Sequence, residues 1–138
     1  MGKRSRARRN KQRGKPKPRT PETPRQDTNG KNLAFGLHTM CQGFRISNCA
    51  PEFKLLLADE FEELSQLNWN QIYSASRYGK GSENIPLEQI KVAIPARITP
   101  DTTILSFHIS DRGRLIGFRD GHVFQVVWVD EGHRVYAG

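Results

Sequence analysis

The fold is decided by one stretch near the C-terminal end of the chain, TTILSFHISDRGRLIGFRDGHVFQVVWVDEGHRVY, residues 102–136. The runs TTILSFHIS, RLIGFR, HVFQVVWV and HRVY are rich in β-forming residues. They are separated by the turn-forming sequences Asp-Arg-Gly, Asp-Gly and Asp-Glu-Gly. Asp-Gly between two such runs is a strong hairpin signal, because tight hairpin turns need positive φ angles. The stretch therefore predicts an antiparallel meander of three or four strands.

Residues 123–129 are apolar on both faces of an extended strand, and Gln125 is the only polar residue among them. A strand of this composition belongs in the middle of a sheet, where both of its faces are covered. Strict alternation along an extended strand predicts one face with Phe124, Val126 and Trp128, and the other with Val123, Val127 and Val129.

An amphipathic helix is predicted to begin at Pro51, which suits a first helical turn, with Glu52 at the positive end of the helix dipole. Apolar residues recur at intervals of three and four, at Phe53, Leu56, Leu57, Phe61, Leu64 and Leu67. The acidic residues between them, Asp59, Glu60, Glu62 and Glu63, are predicted to form a solvated face.

Three further elements are predicted upstream of the meander. A strand is expected over residues 43–47. A helix is expected over residues 69–77, capped by Asn68, with Trp69, Ile72 and Tyr73 directed inward. A short helix is expected over IPLEQIKVAI, residues 85–94. The fold class that follows is α+β, with two to three helices packed on one face of an antiparallel β-meander.

The positive charge of the chain is concentrated in its first 32 residues. Of the 22 basic and 14 acidic residues, twelve basic and two acidic residues lie in 1–32, which gives a net charge of +10 there and −2 in residues 33–138. Residues 1–32 contain almost no apolar side chains, and four prolines occupy positions 16, 18, 21 and 24. Without apolar burial nothing offsets the entropy of ordering the backbone. We therefore predict a disordered basic arm, residues 1–32, followed by a single α+β domain, residues 33–138.

The arm has the composition of a nucleic-acid-binding tail. Its cations would neutralise phosphates and release condensed counterions, so RNA or the ribosome is the expected partner. The alternative is a solubilising tail without a specific partner. The residues predicted to contact nucleic acid are Arg4, Arg6, Arg8, Arg9, Lys11, Arg13, Lys15, Lys17 and Arg19.

Several classes of protein are disfavoured by what the sequence lacks. No apolar run is long enough for a transmembrane helix, and no secretory signal is recognisable, so a cytoplasmic protein without membrane contact is expected. His38, Cys41 and Cys49 could supply three zinc ligands, but half-buried thiols and a packed histidine are favoured, so no metal and no cofactor is predicted. The two cysteines form neither a CxxC motif nor a disulfide framework.

Cations, imidazoles and a tyrosine cluster near the strand ends and turns of the meander. Arginines can hold a phosphodiester and stabilise its transition state, while a histidine or tyrosine can transfer the 2′-hydroxyl proton. Such a set would cleave RNA without a metal ion. The predicted phosphate-binding residues are Arg112, Arg114, Arg119 and His122, and the predicted catalytic residues are His133, Arg134 and Tyr136.

The segments PEFKLLLADEFEELSQLNW, IPLEQIKVAIP and SFHISDRGRLIGFRDGHVFQVVWVDEGHRVY resemble small bacterial and phage proteins with the RelE/ParE-like toxin fold of toxin–antitoxin systems. The resemblance covers residues 51–136 and not the arm. It implies mRNA cleavage, often on the ribosome, restrained by an antitoxin protein. By position it implies that Arg114 and Arg119 bind phosphate and that His133, Arg134 and Tyr136 perform acid–base chemistry.

Two alternatives stay open at this point. In the first, Asp130 caps the last turn, His133 or Arg134 pairs with it, and Tyr136 packs at the sheet edge, so that these residues are structural. In the second, the protein is a non-catalytic module that binds nucleic acid through its arm, or binds a protein through its acidic helix face.

Overall fold

The computed structural model describes residues 27–76 and 79–137, and the arm residues predicted to bind nucleic acid lie outside these ranges. Within these two ranges the chain forms two α-helices and five β-strands, with two single-turn 3₁₀-helices at Ile46–Asn48 and Leu87–Gln89. The elements are β1 (Ala34–Gly36), α1 (Pro51–Ser65), α2 (Trp69–Ser74), β2 (Ser82–Ile85), β3 (Ile104–His108), β4 (Arg114–Asp120) and β5 (Val123–Asp130). The predicted α+β class is confirmed.

The five strands form one mixed sheet in the order β1-β5-β4-β3-β2. Strands β2 to β5 pair antiparallel, as the meander predicts, with β2 added at one edge. Strand β1 pairs parallel to β5, with Ala34 opposite Val123. The predicted antiparallel meander is present, but the sheet as a whole is mixed, because β1, which was not predicted, adds a parallel edge. The three-residue β1 carries no alternation long enough to reveal it, and nothing local specifies a parallel partner about 90 residues away in the chain.

The sheet is covered on both faces, as the composition of β5 predicts. Helices α1 and α2 pack on one face, here called the helix face, through buried residues that include Phe53, Leu57 and Trp69. The other face, here called the coil face, is covered by irregular segments, including Ile98, Val135 and Tyr136. Both helices lie on the same face, as predicted, and burial of these two apolar clusters is the main source of stability.

A β-bulge interrupts the pairing of β4 with β5. Gly117 pairs with Val126 but Ile116 pairs with Trp128, so Val127 is an extra residue. An inserted residue reverses the alternation of the side chains beyond it. Val126 and Val129 thus lie on the helix face, whereas Val127 and Trp128 lie on the coil face. The predicted grouping of Trp128 with Phe124 and Val126 was wrong for this reason.

Helix α1 begins at Pro51, as predicted, but its buried stripe differs from the predicted one. The buried residues are Phe53, Leu57, Glu60 and Leu64, whereas Leu56 is 44% exposed. Burial raises the pKa of the Glu60 carboxyl, and the ion pair with Lys80, 3.0 Å away, offsets part of this increase. The predicted fully solvated acidic face was wrong at Glu60, because the salt bridge allows a carboxylate on the packed side.

Helix α2 begins with the predicted cap. The Asn68 side chain accepts a hydrogen bond from the Gln71 amide, and the Gln71 side chain accepts one from the Asn68 amide, both at 2.9 Å. This reciprocal capping box satisfies two of the amides that a helix start leaves unpaired. Trp69 and Ile72 are buried as predicted, but Tyr73 is 50% exposed, and the helix ends at Ser74.

Three local predictions were wrong. Residues 43–47 form no strand and lead into a 3₁₀ turn, and only Leu87–Gln89 of the predicted helix over residues 85–94 is helical, also as a 3₁₀ turn. The HRVY segment is no strand, because only one bridge, between Ile90 and Tyr136, is formed. Apolar side chains of these segments, among them Phe44, Leu87 and Val135, cover the coil face, and tertiary burial of this kind overrides weak local propensity.

The folded body extends into the segment predicted as arm. The Asn29 carbonyl accepts a hydrogen bond from the Asn70 amide at 3.1 Å, and the Thr28 hydroxyl accepts one from Arg119 at 2.9 Å. Asn32 forms a bridge with Asn68. Residues 28–32 therefore belong to the body, which begins five residues before the predicted boundary.

Candidate nucleic-acid interface

The turn after β5 is held by one buried carboxylate. Asp130 is fully buried, and its two oxygens accept hydrogen bonds from the amides of Arg134 and Val135, both at 2.8 Å. Within this turn His133 has a φ of 58°, which is uncommon for a residue other than glycine. The carboxylate thus fixes the direction in which residues 132–134 leave the sheet. Asp130 does cap the turn, as the structural alternative proposes, but through main-chain amides rather than through the side chain of His133 or Arg134.

A groove of about 550 Å³ lies between this turn and the beginning of α1. We call it the basic groove, and its lining comprises Gly43, Asn48, Cys49, Arg112, Val129, Glu131, Gly132 and Arg134. It is assembled from the segment before α1, the β3–β4 turn and the turn after β5. Two predicted site residues, Arg112 and Arg134, therefore meet here, although 22 positions separate them in the sequence.

The two guanidinium groups of the basic groove are positioned by neutral partners. Arg112 donates a hydrogen bond to the Gly132 carbonyl at 3.0 Å, which ties the β3–β4 turn to the turn after β5. The Arg134 guanidinium lies 4.8 Å from the centre of the Phe44 ring. Arg112 and Arg134 are both exposed, and neither forms a salt bridge with a carboxylate within the described ranges. Their charge is therefore available to an anion in the groove.

Further positive potential borders the basic groove. The charge of Lys54 on α1 acts on the thiol of Cys49, which lines the groove. The groove also contains Glu131, whose carboxylate accepts a hydrogen bond from the Ala50 amide, at the beginning of α1, at 3.0 Å. Among the described lining residues Glu131 is the one acidic side chain, and it faces Arg112 and Arg134 next to the positive end of a 15-residue helix. The groove favours anions.

The cysteine in the groove has a structural role. Cys49 is buried, and its thiol donates to the Arg45 carbonyl at 3.7 Å. Burial raises the pKa of the Cys49 thiol, and the Glu131 charge adds to the increase, while Lys54 opposes it. A raised pKa disfavours the thiolate, so this arrangement does not activate a nucleophile.

Two of the predicted site residues beside the groove are engaged in the fold. Tyr136 is 3% exposed, and its hydroxyl lies 3.1 Å from the Ser106 hydroxyl. The buried Arg114 donates hydrogen bonds to the Ser110, Asp111 and Gly113 carbonyls of the β3–β4 turn. Their surroundings favour the structural interpretation of both side chains, and the catalytic and phosphate-binding assignments stay predictions. The His133 ring is half-buried against the Tyr136 ring, with centroids 4.8 Å apart.

The remaining predicted residues lie at the opposite end of the sheet. Arg119 follows Arg114 by five strand positions, roughly 17 Å at about 3.3 Å per residue. Its guanidinium lies 4.4 Å from the Trp69 ring centre and donates to the Gly121 carbonyl and the Tyr73 hydroxyl. His122 occupies the β4–β5 turn there, and its carbonyl accepts the Trp69 indole N–H at 3.0 Å. The seven predicted residues therefore form two separate groups, not one site.

Sequence patterns did not indicate Asn48, which lines the basic groove with Arg112 and Arg134, or Lys54, whose charge acts on the Cys49 thiol there. No local signal marks them, because the basic groove exists only once three separate segments are brought together by β5 and α1. In the described part of the chain, no group of three or more His, Cys, Asp or Glu side chains is placed to hold a metal ion. Within the same ranges, no helix combines the length and apolar character needed to cross a membrane.

Comparisons with protein families, with curated proteins and with solved structures each find no match to this chain. The resemblance of residues 51–136 to RelE/ParE-like toxins therefore stays a hypothesis.

Proposed function

We propose that the protein binds RNA, and that its folded body contacts the phosphate backbone through the basic groove. The observation that carries this proposal is the convergence of Arg112 and Arg134 on one groove beside the beginning of α1. Two guanidinium groups at a helix N-terminus combine charge-assisted hydrogen bonding with a favourable dipole, and phosphate is the anion best matched to both.

The cationic N-terminal sequence strengthens the same function. Its net charge of +10 supplies sequence-independent attraction to a polyanion, whereas residues 33–138 carry a net charge of −2. The body therefore cannot attract RNA by overall charge, and its contribution depends on local potential in the basic groove. In this proposal the arm supplies most of the affinity and the groove determines how the RNA lies on the body.

The test is RNA binding by the full-length chain, followed by fluorescence anisotropy with a labelled single-stranded RNA. Replacing both groove arginines (Arg112→Gln with Arg134→Gln) should weaken binding about 30-fold at low salt, since each lost phosphate contact is worth about 1 kcal/mol. The matched control removes two exposed cations outside the arm and the groove (Lys91→Gln with Arg97→Gln). Equal losses in the two double variants would show that only total charge matters and would refute a role for the groove.

A second candidate function, metal-independent RNA cleavage, is favoured by one observation. His133 adopts a left-handed backbone conformation between two groove residues, Gly132 and Arg134. Backbone strain of this kind is frequent at functional sites, although histidine tolerates the conformation better than most residues. In this candidate the His133 imidazole acts as the base for a 2′-hydroxyl, while Arg112 and Arg134 hold the phosphate. It agrees with the chemistry implied by the toxin resemblance.

The two candidates are separated by a substitution that preserves the turn. Asparagine also tolerates positive φ, so His133→Asn keeps the backbone while it removes the imidazole. If the protein is a ribonuclease, wild type should cleave RNA in the presence of a chelator and the variant should not, at unchanged RNA affinity. Intact RNA with the wild-type protein would remove the catalytic candidate and leave the binding function.

A further inference from the structure

A second cavity, also of about 550 Å³, opens at the end of the sheet opposite the basic groove. We call it the aromatic pocket. Its lining includes Tyr73 from α2, Asn84 from β2, Phe118 and Arg119 from β4, and Asp101 from the loop before β3. Of these five residues, only Arg119 was predicted to bind phosphate. The other four have no role in the proposed phosphate contacts or in the toxin resemblance.

The aromatic part of the pocket offers a stacking surface that is already fixed. Tyr73 is 50% exposed, and its ring is braced against Trp69, with centroids 5.7 Å apart. Its hydroxyl accepts a hydrogen bond from Arg119 at 3.1 Å. Arg119 is itself held by the Gly121 carbonyl and the Thr28 hydroxyl. A half-exposed tyrosine held in this way loses little entropy when a flat ligand stacks on it.

The polar part of the pocket is dominated by one unpaired carboxylate. Asp101 is exposed, and no hydrogen bond or ion pair within the described ranges engages its side chain. A carboxylate has only acceptors, so it selects a ligand edge with adjacent N–H donors. Asn84 adds an amide with both a donor and an acceptor on the same rim.

The exposed ring of Tyr73 and the carboxylate of Asp101 together favour a flat ligand with adjacent N–H donors. We propose that the aromatic pocket binds one unstacked guanine base of single-stranded RNA. The base stacks on Tyr73, and the Asp101 carboxylate accepts hydrogen bonds from the guanine N1–H and N2 amino group. Of the RNA bases only guanine presents these two donors side by side, and proteins read single-stranded RNA by stacking and by contacts to this base edge. This inference rests on the proposed function, because it gives base preference to an interface that otherwise contacts phosphates.

The experiment compares three pentamers, UUGUU, UUIUU and UUAUU, for binding to the full-length chain. Inosine lacks the guanine amino group, so UUIUU should bind about 10-fold more weakly, and UUAUU at least as weakly. Asp101→Asn should abolish the preference for UUGUU without changing the affinity for UUAUU. Asp111→Asn, which alters an exposed aspartate beside the basic groove, should keep the preference. Equal affinities of wild type for the three pentamers would overturn the proposal.

Variants of the stacking residue and an NMR titration locate the effect. Tyr73→Phe keeps the ring and should retain the preference, whereas Tyr73→Leu should weaken UUGUU binding about 10-fold. Guanosine monophosphate, followed by amide chemical shifts, should perturb residues 84, 101–103 and 118–119, and shifts confined to the basic groove would contradict the proposal. Pentamer binding without base preference would refute the guanine site and leave the proposed function intact. Guanosine monophosphate in the pocket without RNA binding would refute the proposed function and leave the pocket.

Discussion

Substitution of Asp130 tests how the interface is built, because its carboxylate joins the end of β5 to the amides of Arg134 and Val135. In Asp130→Asn, the amide oxygen can still accept one of the two 2.8 Å hydrogen bonds. Its NH₂ group then faces the other main-chain amide, so that two donors oppose each other.

The magnitude follows from these two bonds. Each hydrogen bond to a charged group contributes about 1.5–3 kcal/mol, and an unsatisfied buried donor costs about 1–3 kcal/mol. The variant loses one bond and gains an unpaired donor, but it no longer buries a charge, which offsets several kcal/mol of that loss. We expect a net loss of about 2 kcal/mol in the free energy of unfolding.

Urea denaturation measures this loss directly. With a slope of about 2 kcal/mol per molar urea, the midpoint should fall by about 1 M. Asp111→Asn serves as the control, since it makes the same chemical change at an exposed position and should move the midpoint by less than about 0.3 M. RNA affinity of Asp130→Asn should fall as well, because Gly132 and Arg134 line the groove. Equal midpoints for the two variants would refute the anchoring role of Asp130.

Three other outcomes are expected. Gly117→Ala should destabilise the fold by about 3 kcal/mol in urea denaturation, because a Cβ there would overlap the Gln125 carbonyl oxygen across the bulge; wild-type stability would refute the close approach. Tyr136→Phe should cost about 1 kcal/mol by losing its bond to the Ser106 hydroxyl but leave RNA binding and RNA integrity unchanged, and a selective loss of RNA cleavage would instead support the catalytic assignment. The pKa of Glu60 is raised by burial, so its contribution to stability is present below pH 4.5 and is lost as the pH rises through the raised pKa. The free energy of unfolding of the wild type minus that of Glu60→Gln should therefore decrease between pH 4 and pH 7. A constant difference over this range would contradict the raised pKa of Glu60.

The sequence predicts well those parts of the fold that local chemistry specifies. The start of α1 at Pro51, the capping box at Asn68 and the β4–β5 hairpin at Gly121 each depend on a few adjacent residues. The parallel pairing of β1 and the bulge at Val127 depend on distant partners, and neither leaves a local signal. Alternation alone therefore assigned Trp128 to the wrong face.

The candidate site was predictable only in part, for the same reason. The sequence correctly indicates that arginines and histidines lie at the strand ends, but strand ends occur at both ends of a sheet. Arg112 and Arg134 meet at one end, while Arg119 and His122 lie at the other. Whether Arg114 and Tyr136 are buried likewise depends on the parts of the folded chain that pack against them.

The most direct test of the account is the salt dependence of RNA binding by the full-length protein and by the variant that lacks both groove arginines. If Arg112 and Arg134 contact two phosphates, the slope of log K against log salt should become shallower by about 1.4, at roughly 0.7 per phosphate of a single strand. The control that lacks Lys91 and Arg97 should keep the wild-type slope. An identical slope for wild type and the groove variant would show that the body does not contact the RNA backbone there, and would contradict the proposed interface.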